Sequence, residues 1–185
     1  MRTLVVYESM YGNTHQVAEA IGRGLAGSGD VTVVPVHEAT PALVAAADLL
    51  VVGGPTHAHG MTREASRQSA VEAAGKPDRA LELDPAAPGE GLREWFEHVT
   101  GAGRPAAAFD TRVHMPAALS GRAAKGIGKS LRHHGFAEVI DPESFLVTKE
   151  TTLEAGELNR AEEWGAFVAA AVPARVAAVG PPSGS

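Results

Sequence analysis

The chain reads as an α/β protein built on a doubly wound, five-stranded parallel sheet. Three observations point there. Apolar runs of strand length alternate with segments at helical spacing from the amino terminus onward. Two of those strands run directly into turns rich in glycine and hydroxyl residues, at Ser9–Thr14 and Gly53–Gly60. A length of 185 residues with 44% hydrophobic and 21% charged residues suits one domain with a sizeable core.

The elements follow in order. Thr3–Tyr7 is an apolar strand, 13–27 an amphipathic helix, 31–36 a second strand, 41–46 a short helix, 49–53 a third strand and 62–74 a helix. The rhythm then breaks, because Gly75, Pro77, Pro85, Pro88, Gly89 and Gly91 exclude either periodic element over 75–91. Its acidic residues Asp78, Glu82, Asp84 and Glu90 read as a solvated surface. Leu92, Trp95, Phe96 and Val99 resume helical spacing, before a strand at 105–109 and a helix at 120–134 that starts on a Ser120 cap and ends on His133, His134 and a left-handed Gly135. A strand at 137–147 and a helix at about 154–171 complete the domain, the helix presenting Leu158, Ala161, Trp164, Phe167 and Val168 to the core. Residues 1–172 form the domain, and the Ala, Pro, Gly and Ser tail 173–185 is expected to be mobile.

Composition removes several function classes. Sixteen basic against 22 acidic residues, a formal charge of −6, leave no electrostatic footprint for nucleic acid and no attraction to an anionic membrane. With no cysteine there is no disulfide, thiol catalysis or thiolate metal site, which fits a cytoplasmic protein. No signal-like leader and no apolar run of membrane-spanning length is evident, so neither secretion nor a membrane partner is expected.

Chemistry concentrates where strands end. Ser9-Met10-Tyr11-Gly12-Asn13-Thr14 joins the first strand to the first helix, where Gly12 permits a tight turn and the helix start aims unpaired N–H groups and its positive end at an anion. Ser9, Asn13 and Thr14 add side-chain donors. The turn has no Lys or Arg, so a phosphate there is held by hydrogen bonds and oriented amides, and the lysine-bearing triphosphate loop and the Gly-x-Gly-x-x-Gly dinucleotide loop are both missing. The plain alternative is an ordinary strand-to-helix turn. Ala123–Ser130 resembles a triphosphate loop in spelling, but Leu119, Ala123, Ile127 and Leu131 place it on a helix face. His57 and His59, one residue apart on an extended loop, point to opposite sides with no third ligand beside them, and no metal is expected.

Ser9–Thr14 resembles the phosphate loop of the flavodoxin family, and the strand ending in Gly53-Gly54-Pro55-Thr56-His57-Ala58-His59-Gly60 resembles that family's second flavin-contacting loop. The resemblance extends from Thr3 to about Ala171 and implies the strand order 2-1-3-4-5, with FMN as cofactor in the crevice at the ends of strands 1, 3 and 4. It further implies a third contact segment after the fourth strand, with Asp110, Thr111, Arg112 and His114 as its flavin-facing residues. Family members often carry a Tyr in that segment and a Trp after the Pro-Thr, and those rings sandwich the flavin. Here His57 stands after Pro55-Thr56, and Arg112 or His114 is the flat side chain opposite, so the flavin face is more open. The insertion common in the family's fifth strand or after its fourth is replaced by extra residues at 75–91, ahead of the fourth, which either cover the flavin edge, mediate oligomerisation or have no role.

Two redox functions and one other follow from that resemblance. As an electron carrier the protein exchanges electrons with a redox partner protein, and the acidic balance steers a basic partner. As a small flavin reductase it takes NAD(P)H and a small acceptor, such as a quinone, on the open face. As a non-redox binding or regulatory module it keeps the fold without FMN. Intact Ser9, Gly12, Asn13 and Thr14 favour the first two, and the missing aromatic sandwich favours the last. No catalytic residue is assigned, and the oligomeric state is not specified by sequence.

Overall fold

A computed structural model describes residues 1–57, 60–76, 81–87 and 89–178. Strands β1 (Arg2–Tyr7), β2 (Asp30–Pro35), β3 (Leu49–Pro55), β4 (Pro105–Val113), β5 (Ala137–Glu138) and β6 (Glu143–Val147) form one parallel sheet in the order β2-β1-β3-β4-β5, with β6 also on β4. The sequence-derived order is therefore present, with one refinement. The single edge strand expected over 137–147 is two pieces along the same side of β4. Residues 139–142 stand opposite only Ala107 and Ala108, so the edge strand bulges before it resumes. Asp141-Pro142 lies in that bulge, where a residue without an N–H costs no ladder bond.

Period-two alternation puts Leu4, Val6, Leu50, Val52, Ala106 and Ala108 on one face. That face is covered by α4 (Leu92–Phe96) and α6 (Ala123–His133), through Trp95, Phe96, Ile127 and Leu131. Val5, Tyr7, Val51, Ala107 and Phe109 line the other face under α1 (Asn13–Leu25) and α7 (Glu157–Ala178). Those two helices meet backbone to backbone, since a Cβ on Gly165 would stand 2.4 Å from the Ile21 carbonyl oxygen. Phe167, expected in the core, is 65% exposed, because the close α1–α7 contact through Gly165 turns it outward. Helix α7 continues through Pro173 to Ala178, past the point where the tail was expected to begin; residues 179–185 lie outside the described residues.

Two further boundaries moved. Strand β4 runs four residues beyond the expected end at Phe109, because Phe109–Val113 pair with β6. The helix expected over 120–134 is broken at Gly121, φ +75°, which separates α5 (Ala117–Ser120) from α6, so Ser120 caps nothing and its hydroxyl instead accepts from Arg112. Gly135 does terminate α6 at φ +82°. The remaining helices are α2 (Pro41–Ala46) and α3 (Glu64–Ala74).

Glu8 ends β1 as a buried carboxylate. Thr62 Oγ1 donates to one of its oxygens and the Leu92 N–H donates to the other at 3.0 Å, so one side chain ties β1 to the segments that start α3 and α4. Burial raises its pKa above the ordinary carboxylate range, against the lowering effect of those two hydrogen bonds. A carboxylate whose folded pKa exceeds its unfolded one contributes most stability below the unfolded pKa and loses it as pH rises through the folded pKa. A glutamine retains both bonds, its oxygen accepting from Leu92 and its amide donating to Thr62. In urea unfolding, Glu8→Gln should therefore gain stability relative to wild type as pH is raised from 4 to 8. A constant difference across that range would show that burial does not shift the Glu8 pKa on folding. Glu8→Ala, which leaves the Leu92 N–H unpartnered, should cost about 1–3 kcal/mol.

Candidate functional site

The carboxyl ends of β1, β3 and β4 enclose a cavity of about 260 Å³. Its wall takes Ser9, Met10, Tyr11, Asn13 and Thr14 from the first loop, Pro55, Thr56 and His57 from the second, and Thr111 and Arg112 from β4. These are residues the sequence assigned to a cofactor, brought together by the reversal of strand order between β1 and β3. Gly12, Gly60, Asp110 and His114 do not line it, and Ala58 and His59 lie outside the described residues.

The first loop is built as an anion cradle. Gly12 adopts φ +81° at the N-cap of α1, a conformation that an L side chain strains, and its N–H donates to Ser9 Oγ at 3.1 Å. No protein acceptor meets the N–H groups of Asn13 and Thr14 among the described residues, as the first turn of a helix requires. No acidic residue occupies that first turn. Thr14 Oγ1 and Thr111 Oγ1 are 2.7 Å apart; one donates to the other, and one hydroxyl proton remains for a ligand. The Asn13 side chain departs from expectation: its Nδ2 donates to the Thr151 carbonyl at 2.8 Å, so Asn13 serves the cradle through its backbone.

Thr56 and Asp110, expected as flavin contacts, have a structural task. Asp110 is fully buried; its Oδ2 accepts the Ala124 N–H at 2.7 Å and the Thr56 hydroxyl at 3.0 Å, while Thr56 Oγ1 accepts the Ala123 N–H at 2.8 Å. Together they satisfy the start of α6. Burial raises the Asp110 pKa, opposed by these hydrogen bonds and by the charge of Arg122. Period-two alternation explains the displacement: even-numbered β4 residues face α6, so Asp110 turns from the cradle and Thr111 toward it.

Arg112 lies on the cavity wall with no carboxylate partner among the described residues. Its Nη1 donates to the Met115 carbonyl at 2.7 Å and to Ser120 Oγ at 3.1 Å, and its Nε is buried without a protein partner. His57 is half-buried, and burial lowers its pKa, so the imidazole is neutral near pH 7. The second loop is a closed turn in which the His57 N–H donates to the Gly60 carbonyl at 2.9 Å and the Gly60 N–H returns to His57 at 3.0 Å. His114 points to solvent and pairs with Glu154 at 2.7 Å, outside the cavity.

Three contributors were missed. Val113, Val147 and Thr151 complete the wall. Thr151 sits at φ +64° in a turn after β6, the same sheet edge as the cradle, and the run Thr148-Lys149-Glu150-Thr151-Thr152 was the available signal. A second cavity of about 620 Å³ lies beside it, between the start of α1 and residues 151–159. The 75–91 segment also differs from expectation at Asp84. Its carboxylate is buried, its backbone N–H donates to the Met10 carbonyl at 2.9 Å, and Oδ2 meets His15 Nδ1 at 3.2 Å. Asp84 thus pins the inserted segment to the back of the phosphate cradle. Among the described residues no cluster of metal-ligating side chains exists, and no helix is long and apolar enough to cross a membrane.

Comparison with known proteins agrees with this geometry. Residues 5–88 match the flavodoxin family model. No curated protein sequence matches. Among solved structures, the chain is similar to a flavodoxin from the domain Archaea, with 22% identity, a TM-score of 0.63 and coverage of 94% of this chain and 99% of that one. It is similar to the WrbA-like flavodoxin of Agrobacterium tumefaciens, with 20% identity, a TM-score of 0.58 and coverage of 94% and 98%. It also resembles the rubredoxin oxygen:oxidoreductase of Desulfovibrio gigas, with 15% identity, a TM-score of 0.63 and coverage of 95% of this chain but 37% of that one. The sequence match spans the first loop and the second, and the sheet order is that of a flavodoxin-like fold.

Proposed function

We propose that this chain binds FMN at the ends of β1, β3 and β4 and works as a cytoplasmic redox protein that passes electrons to or from a partner protein. One observation carries the proposal: the N–H groups of Asn13 and Thr14 open, without protein acceptors, beside the hydroxyls of Ser9, Thr14 and Thr111 on a cavity wall with no Lys or Arg in the loop. That donor set suits a phosphate monoester, and it lacks the lysine that a triphosphate calls for. The isoalloxazine supplies the electron chemistry when bound. The chain holds the phosphate, offers a neutral imidazole at His57, and fixes one permanent cation, Arg112, in the wall. The archaeal flavodoxin and the oxygen:oxidoreductase named above support a redox role by fold.

Arg112 favours a second function, a small flavin reductase using NAD(P)H and a small acceptor. Flavin accumulates negative charge on reduction, and an adjacent guanidinium stabilises it. A higher potential suits nicotinamide-driven reduction.

Thr14→Ala should weaken FMN by about 1–3 kcal/mol, the cost of leaving an anionic acceptor short of a donor, when affinity is read by quenching of flavin fluorescence. Riboflavin, which lacks the phosphate, should bind the wild type far more weakly than FMN. Equal affinities for the two flavins would remove the phosphate assignment.

Arg112→Gln should lower the two-electron potential of the bound flavin by roughly tens of millivolts, the size expected for one unit charge at an effective dielectric of about 20 after screening. An anaerobic reductive titration reads this directly. An unchanged potential would mean that Arg112 is only a clasp for Met115 and Ser120, and the reductase function would lose its electrostatic support.

A further inference from the structure

The chain's formal charge is −6, yet residues 111–137 contain no Asp or Glu and five Lys or Arg: Arg112, Arg122, Lys125, Lys129 and Arg132. Arg122 is spent internally on Ser144 and the Pro142 carbonyl, and Arg132 pairs with Glu138. Lys125 and Lys129 are exposed on α6, one turn apart, with no ion pair among the described residues.

The fold sets two more free cations against them. The Arg93 guanidinium, exposed on α4, donates to the Thr62 carbonyl at 2.8 Å and to the Met61 carbonyl at 3.2 Å, and makes no ion pair among the described residues. A Cβ on Gly60 would stand 4.0 Å from its Nη2, so this charge lies against the second loop. Arg63 follows directly, exposed and likewise without an ion pair. The Met61 side chain reaches α6, 3.6 Å from where a Cβ on Gly126 would stand, next to Lys125. Met61 therefore stands half-buried between Arg93 and the stretch of α6 that carries Lys125 and Lys129, with Arg63 two residues along the chain. Glu64 and Glu94 adjoin Arg63 and Arg93 in sequence, with Glu90 and Glu97 one turn away; Glu94 pairs with Arg67 and Glu90 with His98, and none of the four carboxylates forms an ion pair with the four cations among the described residues.

We infer that this face, carrying Arg63, Arg93, Lys125 and Lys129 on the elements that meet at Met61, docks the acidic face of a redox partner protein. The charges come from three separate elements that meet at an apolar side chain, and exposed charges of one sign steer the encounter with a partner of the other. They line neither of the two cavities at the carboxyl edge of the sheet, which disfavours a nucleotide. This differs from the sequence expectation, in which the acidic balance steers a basic partner. The inference rests on the proposed FMN site only for the electron's destination: one electron leaves the partner's reduced metal centre and enters the flavin, with no bond made or broken in the chain.

The test uses an acidic two-iron ferredoxin, reduced, as the probe, mixed with the FMN-loaded full-length protein in a stopped-flow instrument. The rate of flavin reduction should fall as salt is raised. At low salt K125E/K129E should slow it roughly tenfold while leaving FMN affinity at the wild-type value. R2E/R23E carries the same charge change on residues far from this face and should slow it much less. A rate that rises with salt, or equal slowing in the two variants, overturns the docking face while leaving FMN binding intact. If the protein takes up no FMN, the proposed function fails separately, and the face is then scored by amide shifts on adding oxidised ferredoxin: changes at residues 61–63, 93 and 125–129 support it, and their absence overturns it.

Discussion

The carboxylate of Asp110 is the point on which the carboxyl edge of the sheet is assembled. It has no exposed surface, and its Oδ2 holds both the first free N–H region of α6 and the hydroxyl of Thr56. Thr56 passes the constraint on: its side chain takes the Ala123 N–H, and its backbone N–H donates to the Thr111 carbonyl at 2.8 Å. Thr111 in turn meets Thr14. One buried acid thereby sets the positions of β3, β4, α6 and the phosphate cradle relative to each other. The cost is visible, since Asp110 Oδ1 is buried without a partner and burial pushes the group toward its protonated form. Such a network is worth its desolvation only when its members are held together, and here the same residues form the rigid frame that a ligand site needs.

Charge is distributed with the same economy. The cradle contains no cation, so its selectivity rests on the number and direction of N–H and O–H donors. The cations stand outside it: Arg112 on the wall, held by Met115 and Ser120, and Arg93 against the second loop, held by Met61 and Thr62. Under the proposed function, a neutral loop and outlying cations separate two tasks, cofactor binding and encounters that fade with ionic strength. Asp84, buried against Met10 and His15, ties the extra segment to the cradle from behind.

Much of this was legible in the sequence because it depends on local rules. Apolar periodicity identified the layers, and the Ser9–Thr14 turn identified the cradle, since a left-handed glycine and a helix start leave a recognisable spelling. What sequence could not supply depends on partners distant along the chain. Asp110 looks like a ligand contact until β6 lengthens β4 and alternation turns it toward α6. Asn13 looks like a phosphate donor until Thr151, 138 residues away, claims its side chain. Asp84 looks solvated until the fold brings His15 beside it, and Phe167 looks buried until the glycine contact between α1 and α7 rotates it outward.

The most direct measurement is of the cradle itself, by backbone amide shifts in a ¹⁵N-labelled sample as FMN is added. Asn13 and Thr14 should move the most and strongly downfield, as N–H groups without protein acceptors gain an anionic one, with Thr111 following through its hydroxyl contact. If the amides of 13 and 14 stay in place while shifts gather around the larger cavity at residues 151–159, the phosphate is not held by this loop and the account of the site is wrong.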